Sequence, residues 1–223
     1  MKVEFKYYKN KRWGLNMRYL MNIIFIFVCF IFSGCFTVSM LQTPKVLEED
    51  KKEIGLGGGV ILHYEGDGKD LLRFPEIVGN YRVGVGKDTD IGFRIFVLGA
   101  YVDIKHQFTK RYPYVSGVLG FSYALTSEKG SIGFYPSLIV GTDRFYTSAG
   151  AILIAGSVPF IFIFGESVGG SAEFGGLIGR LAVGYSFGSK LRITPEVGAL
   201  LVGFTDVDIP WAFYYVLGIS YRP

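Results

Sequence analysis

Trp211-Ala212-Phe213-Tyr214-Tyr215-Val216-Leu217-Gly218-Ile219-Ser220-Tyr221-Arg222 divides cleanly by parity. Trp211, Phe213, Tyr215, Leu217, Ile219 and Tyr221 fall on one side, and Ala212, Tyr214, Val216, Gly218, Ser220 and Arg222 on the other. A period of two sustained over this length is a β-strand with two unlike faces, because successive side chains of a strand point opposite ways. One face is bulky and aromatic. The other is mostly small.

The same division recurs upstream. Lys190, Arg192, Thr194, Glu196 and Gly198 oppose Leu191, Ile193, Pro195, Val197 and Ala199. Asp103, Lys105 and Gln107 oppose Val102, Ile104, His106 and Phe108. Asn80, Arg82, Gly84 and Gly86 oppose Tyr81, Val83 and Val85, and within 175–187 Leu177, Leu181, Val183, Tyr185 and Phe187 oppose Gly176, Arg180, Gly184 and Ser186. Extended along the chain, the pattern predicts strands at 54–64, 78–86, 91–98, 101–108, 114–125, 131–141, 145–155, 174–186, 190–203 and 211–222. Residues 91–108 also read as one long strand, and Val158 to Phe164 as one more, so the range is about 8–12 strands. The expected fold is all-β: an antiparallel up-and-down transmembrane β-barrel of about ten strands.

Connection lengths follow the parity of such a barrel. The connections after even strands (87–90, 109–113, 142–144, 187–189) are short, and the two longest, 65–77 and 156–173, follow odd strands. With the N-terminus in the periplasm, the long loops face the cell exterior.

A soluble barrel hides its apolar face inside, and a membrane barrel turns it outward. Here the polar face is rich in Gly, Ser and Ala with scattered charges, which suits a crowded lumen, whereas a face meeting water carries many Lys and Glu. Tyr64, Tyr81, Phe108, Tyr185, Phe187, Trp211 and Tyr221 fall near strand ends, where interfacial aromatic girdles sit. Arg82, Arg94, Asp103, Lys105, Arg180, Lys190, Arg192 and Glu196 share the inward face as a lumen polar network. Buried charges require partners or water, so these residues form either a salt-bridged plug or the lining of a narrow passage. Ten strands favour the plug, because small barrels fill with their own side chains.

The N-terminus carries a different signal. A basic start is followed by an apolar run from Leu20 to Ile31 and then Phe32-Ser33-Gly34-Cys35. The run is shorter than the roughly 20 residues a membrane helix needs and has the length of a signal-peptide core. Residues 1–34 are read as the signal peptide, with Met17 an alternative start; 35–53 as lipid anchor and linker; and 54–223 as the barrel. Phe32-Ser33-Gly34-Cys35 resembles the lipobox of bacterial lipoproteins, with Phe32 replacing the usual aliphatic residue. The resemblance implies acylation of Cys35, processing by the lipoprotein machinery and residence in a Gram-negative cell envelope. Two or three acyl chains anchor stably where one does not. Gln42-Thr43-Pro44-Lys45-Val46-Leu47 resembles a stretch ahead of the first strand in lipoprotein-like barrels. The last strand resembles the C-terminal signal of outer-membrane proteins, which implies handling by the barrel-assembly machinery, although the chain ends Tyr221-Arg222-Pro223 without the usual Phe.

Composition narrows the function. Residues 1–35 hold six of the 23 Lys/Arg and one of the 19 Asp/Glu, leaving 17 against 18 in the remainder. The mature part is therefore close to neutral, and nucleic acid is not an expected partner. Cys29 leaves with the signal, so no intramolecular disulfide is expected. The histidines are His63, expected in the lumen near the outer rim, and His106, on the opposite face near a membrane edge. Ser127, Ser157 or Ser167 beside His63 gives a minor lipid-modifying reading. Gly66-Asp67-Gly68-Lys69-Asp70 and Asp206-Val207-Asp208 lack EF-hand spacing, and Gly55-x-Gly57-Gly58-Gly59 is followed by no helix, so it is not a phosphate loop. The expectation is no catalysis, no metal and no cofactor. The expected protein is an outer-membrane barrel lipoprotein in contact with outer-membrane lipid, with a structural, adhesive or narrow-passage transport role. The alternative is a soluble lipocalin-like barrel lipoprotein binding an apolar ligand, although Gly-x-Trp, usual near a lipocalin's first strand, is missing here.

Overall fold

In the computed structural model the described residues are 38–65, 70–96, 99–125, 130–157, 173–203 and 211–223; side chains at 63–65, 70–74, 125, 156–157, 173–175 and 202–203 are not described. Ten antiparallel strands form a closed barrel: β1 (Lys52–Glu65), β2 (Asp70–Gly86), β3 (Thr89–Phe96), β4 (Gly99–Gln107), β5 (Tyr114–Leu125), β6 (Gly130–Gly141), β7 (Phe145–Ser157), β8 (Glu173–Tyr185), β9 (Leu191–Gly203) and β10 (Trp211–Tyr221). Each strand pairs with its sequence neighbours. β10 closes the ring on β1, from Ile54 opposite Tyr221 to His63 opposite Ala212. Closure gives every strand a neighbour on both sides, so no strand is an edge strand.

The parity of the sequence is the parity of the wall. β10 alternates between exposed and buried at every residue, with Trp211, Phe213, Tyr215, Leu217, Ile219 and Tyr221 outward. One large exposed residue on each strand, Leu56, Tyr81, Phe93, Ile104, Phe121, Leu138, Leu153, Leu181, Val197 and Leu217, carries an apolar belt around the whole circumference. Among the strand residues whose side chains are described, the outward positions hold one formal charge, Lys52, at the start of β1.

Prolines sit where the ladder can spare a donor. Pro75 lies beyond Val78, the last β2 residue paired with β3. Pro195 lies just past Glu196, where pairing of β9 with β8 stops. Pro136 falls in the gap between Phe134 and Ser137 in the pairing of β6 with β7.

One sequence expectation changes here. Residues 65–77 are not a long loop: β2 begins at Asp70 and runs to Gly86. A proline is a local strand-breaking signal, yet Pro75 stands on a stretch whose β3 side is unpaired. The connection at 158–172 remains the longest, 204–210 takes the place of 65–77 as the second, and both follow odd strands. Residues 91–108 divide into two strands, as the strand list has them, and the single-strand alternative falls, with Phe96 opposite Gly99. The signal peptide, Cys35, the alternative strand at 158–164, Ser127, Ser167, residues 66–69 and Asp206-Val207-Asp208 lie outside the described residues.

Candidate functional site: a lumen filled by the chain's own N-terminal segment

The largest departure from the sequence reading concerns residues 36–53, expected to be a linker. Val38, Ser39, Met40, Leu41, Gln42, Thr43, Pro44, Val46 and Leu47 are buried, and their contacts are with the inner wall. β1 opens at Lys52, two residues earlier than expected. A ten-stranded barrel has a radius of about 10 Å, close to the ~10 Å spacing of packed sheets. One chain near the axis therefore sits at packing distance from the wall on every side.

The wall holds this segment chiefly by its main chain. Glu196 accepts from the successive amides of Met40 (2.9 Å) and Leu41 (2.8 Å), one on each carboxylate oxygen. Leu41 has φ +48°, and such a left-handed residue turns consecutive N–H groups into an anion-binding nest. The same carboxylate accepts from the Tyr146 hydroxyl at 2.6 Å and the Tyr214 hydroxyl at 2.9 Å. Gln107 accepts from the Val46 amide (3.0 Å) and Asp90 from the Leu47 amide (2.9 Å). Glu76 accepts from the amide (3.3 Å) and hydroxyl (2.7 Å) of Ser39.

Cations take the segment's carbonyls. Arg180 donates to Val38 O at 2.9 Å. Arg94 donates to Ser39 O at 2.7 Å and Met40 O at 2.9 Å. Lys105 donates to Thr43 O and Lys45 O, each at 3.1 Å, and the Ser116 hydroxyl donates to Pro44 O. Charge-assisted bonds of this kind are roughly twice as strong as neutral ones.

Beside the segment lies an ion network on β2, β3 and β4. Arg82 bridges Asp90 and Asp103. Lys105 stands 3.1 Å from Asp90, and Arg94 3.7 Å from Asp103. The Arg94 guanidinium also lies over the Tyr101 ring at 4.8 Å. No charge here is left without an opposite partner, which is what low-dielectric burial demands.

Leucine 41 finds its place in a gap in the wall. A Cβ added at Gly57 would run into one of its methyl groups, and one at Gly218 would press tightly against both. Two glycines on adjacent paired strands, opposite each other in register, thus form a notch for one side chain.

Of the expected lumen residues, Arg82, Arg94, Asp103, Lys105, Arg180, Arg192 and Glu196 are buried and inward. Lys190 is exposed instead. β9 starts at Leu191, so strand parity does not reach Lys190, whose carbonyl accepts from the Arg222 amide at 2.8 Å. His63 lies in β1 opposite Leu72 and Ala212, with its side chain outside the described set. His106 is on the outer face, 2.9 Å from the Thr89 hydroxyl and against the Phe108 ring. Glu76, Asp90, Gln107, Ser116, Tyr146 and Tyr214 escaped the sequence reading as site residues. Asp90 was assigned to a turn and Glu76 to a loop, although Asp90 shares the parity of Gly92 and Arg94. Among the described residues no cluster of His, Cys, Asp or Glu has the geometry to hold a metal.

The fold and lumen define a closed ten-stranded β-barrel filled by a segment of its own chain. No family model matches this sequence, and no curated protein matches it. Among solved structures it is similar to Ail, the attachment invasion locus protein of Yersinia pestis, at 14% identity and a TM-score of 0.33 over 78% of this chain and 99% of that one. It is also similar to the translocator domain of the autotransporter NalP from Neisseria meningitidis, at 12% identity and a TM-score of 0.41 over 79% of this chain and 90% of that one.

Proposed function

We propose that this protein is an outer-membrane β-barrel whose narrow passage is closed at rest by residues 38–47. The observation that carries the membrane reading is the continuous apolar belt. Leu56 is 69% exposed and Leu217 49%, and every strand contributes. Monomeric soluble proteins rarely expose a contiguous apolar patch above a few hundred Å². The soluble lipocalin-like alternative needs the apolar face inward, whereas here the inward face carries Arg82, Asp90, Asp103, Lys105 and Glu196. β1, 14 residues long, rises about 35 Å when tilted as barrel strands are, which exceeds the ~25 Å apolar band of such barrels.

The orientation proposed places the start of β1 on the periplasmic side, with 158–172 and 204–210 toward the exterior. The turn end exposes Lys51, Lys87, Lys110, Arg111, Arg144 and Lys190. Export on residues 1–34, assembly by the outer-membrane machinery and acylation at Cys35 complete the reading, and no catalytic role is assigned to His63 or His106. Three extended residues span about 10 Å, and Cys35 precedes buried Val38 by three, so anchoring and closure must be measured on the same chain.

The deciding experiment is gel mobility of membrane-extracted protein with and without boiling, followed by conductance in planar bilayers. A compact band that shifts only on heating, with low conductance, supports a closed membrane barrel. Release into the soluble fraction after exchange of residues 1–35 for a cleavable non-lipid signal, with no heat shift, overturns it. Labelled palmitate incorporated by the native chain and lost in Cys35→Ser establishes the anchor. Unchanged lipid A in a deletion strain removes the lipid-modifying alternative.

A further inference from the structure

Residues 38–47 are bound as a ligand is bound. Amides of Ser39, Met40, Leu41, Val46 and Leu47 and carbonyls of Val38, Ser39, Met40, Thr43, Pro44 and Lys45 all meet wall side chains. Recognition through the main chain gives affinity for polypeptide as a class, and pockets for individual side chains give selectivity. Here the pocket is the Gly57/Gly218 notch around Leu41, with Glu76 adding a contact to the Ser39 hydroxyl.

Two further features bear on exchange. The tether lies outside the lumen: Glu48, Glu49, Asp50 and Lys51 are exposed. Asp50 has φ +61°, and the tether is held at the rim through Asp50 N to Gly84 O (3.0 Å) and Gly84 N to Lys51 O (2.9 Å). The segment can therefore leave without breaking the β1 ladder. The resident segment is also imperfect, because Gln42 Oε1 and Thr43 Oγ1 are buried with no hydrogen-bond partner among the described residues. An unsatisfied buried polar atom is costly, so a segment with apolar side chains there fits better.

We propose that the lumen is a peptide-binding channel and that residues 38–47 are its resident, exchangeable occupant. The channel takes a short, largely uncharged polypeptide segment in trans, held by its main chain, with leucine in the notch. This rests on the closed-passage reading and names the class of molecule the passage takes up.

The test uses the full chain with a protease site inserted within 48–51, folded first and then cut, so that barrel assembly is not at stake. Labelled synthetic peptides are added in detergent: the 38–47 sequence, the same peptide with Gln42→Ala and Thr43→Val, and one with Leu41→Asp. The proposal expects the native peptide to replace the resident segment. It expects the doubly substituted peptide to bind at least roughly 5-fold tighter, the lower end of relieving one unsatisfied group, and the Leu41→Asp peptide at least about 10-fold weaker, since it buries an unpaired charge. A resident segment that never exchanges, or equal binding of all three peptides, overturns it. Heat shift and conductance of the uncut chain are recorded alongside. Their failure counts against the closed membrane barrel, whereas a normal heat shift with no exchange counts against peptide binding alone.

Discussion

The Leu41 amide donates to Glu196 over 2.8 Å, joining residues 155 positions apart in the chain. With Met40 on the other oxygen and the Tyr146 and Tyr214 hydroxyls completing the set, one carboxylate pins the N-terminal segment to β7, β9 and β10. Two main-chain bonds couple the filling to the wall at this carboxylate.

Replacing Glu196 tests that coupling. Glu196→Gln keeps the shape but turns an NH₂ group toward donors, at a cost of about 1.5–3 kcal/mol for each charge-assisted bond lost. The expected outcome is a lower temperature for the gel shift and higher bilayer conductance. Unchanged values for both would show that the segment is held elsewhere.

The glycine notch gives a second test. Gly57→Val puts a side chain where the Leu41 methyls sit, and the expected result is protease access to residues 38–47 in the folded barrel. Leu41→Gly alone relieves a left-handed backbone but gives up a buried leucine, for a net loss of about 1 kcal/mol. Combined with Gly57→Val it is expected to restore protection, and a double variant as accessible as Gly57→Val would contradict the packing argument.

Arg82 bridges Asp90 and Asp103 in a buried network. Arg82→Met leaves two carboxylates with Lys105 and Arg94 alone, and is expected to destabilise the barrel by about 3–5 kcal/mol. Reversible unfolding in detergent measures this. The exposed Lys110–Asp88 pair, 3.2 Å apart, provides the contrast: Lys110→Ala should change little, since surface pairs contribute little.

On the outer face, Leu217→Arg places a cation in the apolar belt. Near the bilayer midplane this costs about 2–4 kcal/mol, read from unfolding in lipid vesicles. A neutral effect there, together with normal solubility, would count against membrane embedding.

What the sequence determined by itself is the wall. Strand positions, the outward faces of β9 and β10 and the inward run of Arg82, Arg94, Asp103, Lys105, Arg180, Arg192 and Glu196 were legible because alternation is a local property of extended chain. It failed where local cues mislead, at Pro75, which reads as a breaker, and at Lys190, one residue outside its strand. The tertiary structure alone decided that residues 38–47 fill the lumen. That segment is held through amides and carbonyls, which every residue has, so its binding leaves no periodic trace in the side chains. The Gly57/Gly218 notch likewise exists only once closure sets β1 beside β10. Local geometry makes a strand readable in sequence, whereas contacts between distant main-chain and side-chain groups appear only when the ring has closed.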